Sequence, residues 1–153
     1  MPARFILICG LPGAGKTALA KRIEKSESAV RLCPDEWMQA LEIDLYDEKA
    51  RANIEELQWT LAKHLLTLGQ SVIIEWGTWG RAERDRLRTE AQALGASAEL
   101  HYLKQPLETL WQRTRDRGME EPPPTREDLE RSFAAFQEPD EQELALFDPP
   151  AKP

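Results

Sequence analysis

Eight consecutive residues, Gly10-Leu11-Pro12-Gly13-Ala14-Gly15-Lys16-Thr17, have the types and spacing needed to hold a polyphosphate. The pattern is Gly-x4-Gly-Lys-Thr. Glycines let the backbone turn tightly enough to aim successive N–H groups at phosphate oxygens. A helix starting near Lys16 would turn the positive end of its dipole toward the same anion. Lys16 would reach the β- and γ-phosphates of ATP, and the Thr17 hydroxyl would hold Mg2+. From average residue frequencies, a chance match in a chain of this size is on the order of 1 in 200. Here an apolar run, residues 4–9, also stands directly before the pattern.

Other residues could complete a reaction on that phosphate. Asp35, in Cys33-Pro34-Asp35-Glu36-Trp37, is a candidate general base, because phosphoryl transfer to an alcohol needs a carboxylate to take the hydroxyl proton. The same side chain could cap a helical turn over residues 36–41, or do both. Glu75 ends Ser71-Val72-Ile73-Ile74-Glu75 and could serve a magnesium shell, directly or through water, or else pair with an arginine as a buried acid. Arg113 and Arg117, four apart, share a helix face and precede residues 118–124, whose composition suits a mobile lid. Over ATP they would stack on the base or neutralise charge on the transferred group. Otherwise they form surface salt bridges with Glu108 and Asp116. Trp37, Trp76 and Trp79 follow the second and third apolar runs and could wall a pocket for an apolar or planar acceptor, or simply pack. Trp59 and Trp111 fall on helical stretches and read as core.

The elements that must position these residues alternate. Residues 4–9 and 71–75 have the continuous apolar character of strands buried on both faces, with weaker strands at 29–33 and 98–103. Helical patterns run over 16–25, 48–68, 81–94, from Pro106 to a stop at Gly118, and over 125–136. In the second of these, Ile54, Leu57, Leu61, Leu65 and Leu68 recur at steps of three and four, predicting the core face. Residues 120–124, Glu-Glu-Pro-Pro-Pro, must be loop, and 143–147 could add a short edge strand before a Pro-rich end, about 149–153, that frays. Alternation of strand and helix argues an α/β fold, a mainly parallel sheet covered on both faces. In such sheets ligands bind beyond the carboxyl ends of the strands. That is where the glycine loop, Asp35 and Glu75 fall.

The chain has 153 residues, enough for one domain over 1–153 with its own core, and is 41% hydrophobic and 31% charged. No apolar run is long enough for a membrane span, so a cytoplasmic location is the default expectation. The net charge is −7, and it resides in residues 118–153, which carry 3 basic and 10 acidic side chains against 17 of each before them. An acidic rear argues against a long nucleic acid as partner. Cys9 and Cys33 have no metal-binding spacing and read as buried thiols, a disulfide being the alternative.

On these residues the chain resembles the small bacterial P-loop kinases related to polynucleotide 5′-kinase, chloramphenicol phosphotransferase and gluconate kinase. It is more similar still to a bacterial group of ATP-binding proteins, through residues 31–37, 76–85 and 139–143. The resemblance covers nearly the whole chain. It implies a three-layer P-loop fold with a five-stranded sheet in the order 2-3-1-4-5 and an arginine-bearing lid at about 113–125. It also implies that Asp35 activates an acceptor hydroxyl and that Arg113 and Arg117 begin the lid. The group usually carries Asp where this chain has Glu75.

These readings point to an ATP- and Mg-dependent kinase acting on a hydroxyl of a small molecule. Lys16, Asp35, Arg113 and Arg117 would be catalytic, residues 10–17 with Arg113 would bind ATP, and Asp35, Trp37, Trp76 and Trp79 would meet the acceptor. Two alternatives remain open at this point: a 5′-hydroxyl kinase of polynucleotides or nucleosides, and a nucleotide-gated binding protein or weak ATPase that is not a kinase.

Overall fold

Five apolar residues in a row can be buried together only in a strand covered on both faces, and Phe5 to Cys9 are all 0% exposed. They form β1, Arg4–Cys9, at the centre of the sheet in a computed structural model that describes residues 2–150. On one side β1 pairs with β3, Val72–Gly77, and on the other with β4, Ser97–Tyr102. β2, Val30–Leu32, pairs with β3. All pairings are parallel and the order is β2-β3-β1-β4.

Alternate residues of β1 feed two cores. Phe5, Leu7 and Cys9 join Trp59, Ala62 and Leu66 of α3, Glu48–Thr67, and Leu87 and Ala91 of α4, Arg81–Ala93. Ile6 and Ile8 join Ala20 of α1, Lys16–Glu27, with Leu19 and Ile23 packed alongside. Each such buried aliphatic side chain contributes roughly 1.5–3 kcal/mol. The remaining helices are α2, Pro34–Ala40; α5, Leu107–Arg117; α6, Arg126–Ala135; and α7, Glu141–Leu144. α5 and α6 share a third cluster with the glycine loop, in which Leu110 and Leu129 bury Leu11 and Ala14.

The structure departs from the sequence expectations at three places. The series expected for α3 is only in part its core face: Ile54 is buried and Leu65 packs on the core, but Leu57 is 64% and Leu68 69% exposed, and Gln58, Trp59, Ala62 and Leu66 take the buried positions instead. Trp59 sets the rotation, because its ring packs tilted against Phe5, centroids 5.1 Å apart, and small Ala62 lies on the same buried face. The helix from Pro106 starts one residue later, with Pro106 as its N-cap. Residues 143–147 give no fifth strand, and among the described residues four strands stand where five were expected. Glu143 sits on α7, drawn inward by Arg84, and Pro149 and Pro150 have no N–H to give to a ladder. Asp148 occupies the edge of β4 instead, its N–H donating to Ala98 O at 2.7 Å and its carboxylate accepting from Ala98 N at 2.7 Å. The expected frayed end falls largely outside the described residues. Among those described, no helix is long and apolar enough to cross a membrane.

Candidate active site

The chain leaves β1 into residues 10–15 and re-enters regular structure at Lys16. Gly13 and Gly15 take the left-handed φ values of 86° and 101° that side chains resist. A Cβ on Gly13 would also lie 2.8 Å from Leu110 O, so α5 presses directly on the loop. Gly15 caps α1 with no side-chain hydrogen bond, leaving the first-turn N–H groups to face a ligand. Pro12, Gly13, Gly15, Lys16 and Thr17 line a cleft of about 700 Å3 at the carboxyl ends of the strands. Leu11 and Ala14 turn the other way and anchor the loop in the third core.

Lys16 Nζ donates to Gly10 O at 2.8 Å and Leu11 O at 3.2 Å. Burial, and after it the nearby Arg117 charge, pull its pKa down to about 8. Thr17 Oγ1 donates to Glu75 Oε1 at 2.7 Å. Glu75 is 5% exposed, and its other oxygen faces Arg31 Nη1 at 3.4 Å. Arg31 is held in turn by Glu36 at 2.6 Å. Glu75 therefore faces Thr17 at the head of α1 and also pairs with an arginine, the second of the two expectations for it.

The two lid arginines reach the same cleft. Arg113 Nη1 donates to Gly13 O at 3.2 Å, and Arg117 pairs with Glu120 at 2.7 Å rather than with Glu108 or Asp116. Arg115 lies over the Trp111 ring, 5.5 Å from its centroid, and Arg126 pairs with Glu108 and Glu130. The segment expected to be a lid ends at a capping box in which Thr125 and Asp128 satisfy each other's backbone N–H groups, and α6 begins.

Asp35 lines the cleft opposite, from the first turn of α2. It does not cap that helix. Pro34 takes the first helical position and Cys33 becomes the N-cap, which moves Asp35 one step too far in. Its carboxylate instead accepts from Arg51 Nη1 at 2.6 Å, while Arg51 Nη2 donates to Leu45 O. Trp76 and Trp79 border the cleft, and Trp76 Nε1 donates to Gln58 Oε1 at 2.9 Å. Trp37 does not line it. Two positions after Asp35 on a helix, it points elsewhere and packs on the core beneath the sheet. Trp59 is buried as expected, and Cys9 and Cys33 are free buried thiols.

Several cleft residues were not anticipated. Arg51 and Glu55 lie four apart on α3, and Glu83 begins α4. Glu48, Arg51 and Glu55 have helical spacing, but charged residues at that spacing are also the ordinary pattern of a solvated helix face. Tyr46 reaches across to the lid, where its hydroxyl donates to Pro122 O at 2.6 Å. Arg84, fully buried, donates to both carboxylate oxygens of Glu143 at 2.6 and 2.9 Å, and to Thr78 O and Gln137 O. Residues 76–85 and 139–143, which carried the closer resemblance, are therefore joined by Arg84, with Arg81 adding longer contacts to Asp140 and Glu143 at 3.8 and 3.6 Å.

A strand, a left-handed glycine loop and an uncapped helix carrying Lys-Thr, on a parallel sheet of this order, make this a P-loop nucleotide-binding protein. The chain belongs to the family of the AAA domain (AAA_33), whose model matches residues 5–139. No curated protein is a sequence match. Among solved structures it is similar to a gluconokinase from Sinorhizobium meliloti 1021, with 18% identity, a TM-score of 0.64, and coverage of 92% of this chain and 78% of that one. A sugar kinase from Janibacter sp. HTCC2649 has 22% identity and a TM-score of 0.68 over 93% and 82% of the two chains. A chain of the Pnkp1/Rnl/Hen1 RNA repair complex has 19% identity and a TM-score of 0.73 over 95% of this chain and 46% of its own. At these identities the likeness establishes the fold.

Proposed function

We propose that this protein is a kinase that transfers the γ-phosphoryl of ATP to a hydroxyl of a small molecule. The observation that carries the reading is one cleft lined by both cations and a carboxylate: Lys16, Arg113 and Arg117 with Asp35. In the transfer, the acceptor oxygen forms a bond to Pγ as the bond from Pγ to the bridging oxygen breaks. ADP leaves, and the hydroxyl proton passes to Asp35. Charge spreading onto the transferred group is met by Lys16 and the lid arginines. Arg51 holds the Asp35 carboxylate in place through its hydrogen bond.

The donors beside the loop suit magnesium. Thr17 supplies a hydroxyl and Glu75 a carboxylate 2.7 Å away, hard oxygens of the kind this ion takes in ones and twos alongside phosphate and water. When bound, the ion would neutralise phosphate charge; Thr17 would hold it directly and Glu75 directly or through a water.

Replacing Asp35 separates binding from transfer. Asp35→Asn is expected to bind ATP with unchanged affinity and to lose transfer by about 100- to 10,000-fold, measured with labelled ATP on an acceptor. Full transfer by this variant ends the assignment. The likeness to a chain of an RNA repair complex supports a second reading, a polynucleotide 5′-hydroxyl kinase. Labelled transfer to short oligonucleotides decides between the two.

A further inference from the structure

The cations proposed to meet the triphosphate, Lys16, Arg113 and Arg117, are not held alike. Lys16 donates to the carbonyls of Gly10 and Leu11, and Arg113 to that of Gly13. Both have neutral partners and keep their full charge for a ligand. Arg117 has a charged one: its Nη2 donates to Glu120 Oε1 at 2.7 Å. Glu120 lines the same cleft, and its side chain is only 17% exposed. After burial itself, the Arg117 charge is what most lowers the Lys16 pKa, so this guanidinium stands near the glycine loop.

The pair is also incomplete. One guanidinium nitrogen meets one carboxylate oxygen, whereas the strong form of this contact uses two of each. The other oxygen, Glu120 Oε2, is buried and has no hydrogen-bond partner among the described residues. A half-satisfied carboxylate is destabilising, and one that faces a polyphosphate site repels the ligand of that site. The segment carrying it is lightly tied. Among the described residues, the hydrogen bonds from side chains to residues 118–124 are this one and that of the Tyr46 hydroxyl to Pro122 O. None of these residues belongs to a core cluster. Glu120 can therefore move without unmaking the fold.

Resting on the kinase reading, we propose that Glu120 competes with the γ-phosphate of ATP for Arg117, weakening the hold on ATP and leaving that on ADP alone. With ATP bound, the guanidinium turns from Oε1 to the γ-phosphoryl oxygens, and Glu120 moves off with its segment. Once that phosphoryl group has been transferred, ADP offers Arg117 nothing at the same place, and Glu120 takes the guanidinium back. Glu120 is thus a positioning residue that resets the segment after each turnover. It touches neither nucleotide nor acceptor.

Glu120→Gln keeps the shape of the side chain and removes its charge. Parent and variant are titrated calorimetrically, in Mg2+, with a non-hydrolysable ATP analogue and with ADP. The variant is expected to bind the analogue about three- to tenfold tighter and ADP within about twofold of the parent. Arg117→Gln should weaken the analogue and spare ADP. The proposal is overturned if Glu120→Gln leaves the analogue unchanged or weakens it, or if Arg117→Gln weakens both nucleotides alike. It is also overturned if Glu120→Gln tightens both equally, as a carboxylate acting only through its field, or a merely structural pair, would do. No acceptor enters this test, so it fails separately from the reading beneath it. Labelled transfer to gluconate, glucose or a short oligonucleotide, with the two nucleotides not separated by Glu120→Gln, keeps the kinase and removes the competition. Separation of the nucleotides without transfer to any of these does the reverse.

Discussion

The two ends of the cleft are built on opposite principles. At the end proposed to hold phosphate, the cleft is lined by backbone and cations from one loop and two helices: Gly13, Gly15, Lys16 of α1, and Arg113 and Arg117 of α5. The rest of the cleft, proposed for the acceptor, is lined by side chains from α2, α3, α4 and the end of β3, with Asp35, Glu48, Glu55 and Glu83 against the single cation Arg51. The phosphate end has little freedom to change, because φ values and close backbone contacts fix it. The acceptor end is a set of separate side chains on rigid supports, each replaceable without breaking the turn. A fold can keep one triphosphate grip and vary what it phosphorylates by this division.

If the ends are independent, substitutions should sort cleanly. The largest effect is expected from Lys16→Ala, which should weaken ATP binding by about 100-fold or more, ~3 kcal/mol, while leaving acceptor-end binding alone. Fluorescent-nucleotide titration reads it. Next comes pH. Lys16 has its proton below about 8 in the free protein, so ATP affinity should be level below that and fall by up to about tenfold per unit above it. The sign reverses for the free fold: between about 8 and the ordinary lysine value of 10.5 the unfolded chain binds this proton more, so this group's contribution to stability rises with pH. A Kd flat to pH 10 would show that the ammonium is not what grips the phosphate. Trp79→Ala should weaken acceptor binding by about tenfold and spare the nucleotide, as separate titrations would show. Tyr46→Phe is the smallest, removing one exposed hydrogen bond to Pro122 and lowering kcat or raising KM by about two- to fivefold. An equal loss of nucleotide and acceptor affinity in that variant would show that the lid couples the two ends.

The same division explains what could be read in advance. The loop, the buried central strand and the lid arginines are contiguous or periodic signals, and residues 10–17 are legible because backbone chemistry at one place demands particular types there. Glu55, Glu83 and Thr78 come together only in three dimensions, and each by itself is an ordinary surface residue type. Trp37 misled because a residue two steps along a helix from a cleft residue faces away from the cleft. The leucines of α3 misled because two stripes of that helix are apolar, and the choice between them was made by the ring of Phe5 across the core. The fifth strand was lost to a contact that periodicity cannot contain, the capture of Glu143 by Arg84 some 59 residues away.

That capture has a consequence for how this protein will respond to random change. Arg84 grips the carbonyl of Thr78 with the same guanidinium that grips Glu143 and Gln137. In a deep substitution scan scored by turnover, Glu143 should therefore rank beside the residues of the cleft, although it touches nothing that reacts. A tolerance map of the tail would outline the far end of a lever whose near end is Thr78, at the border of the cleft.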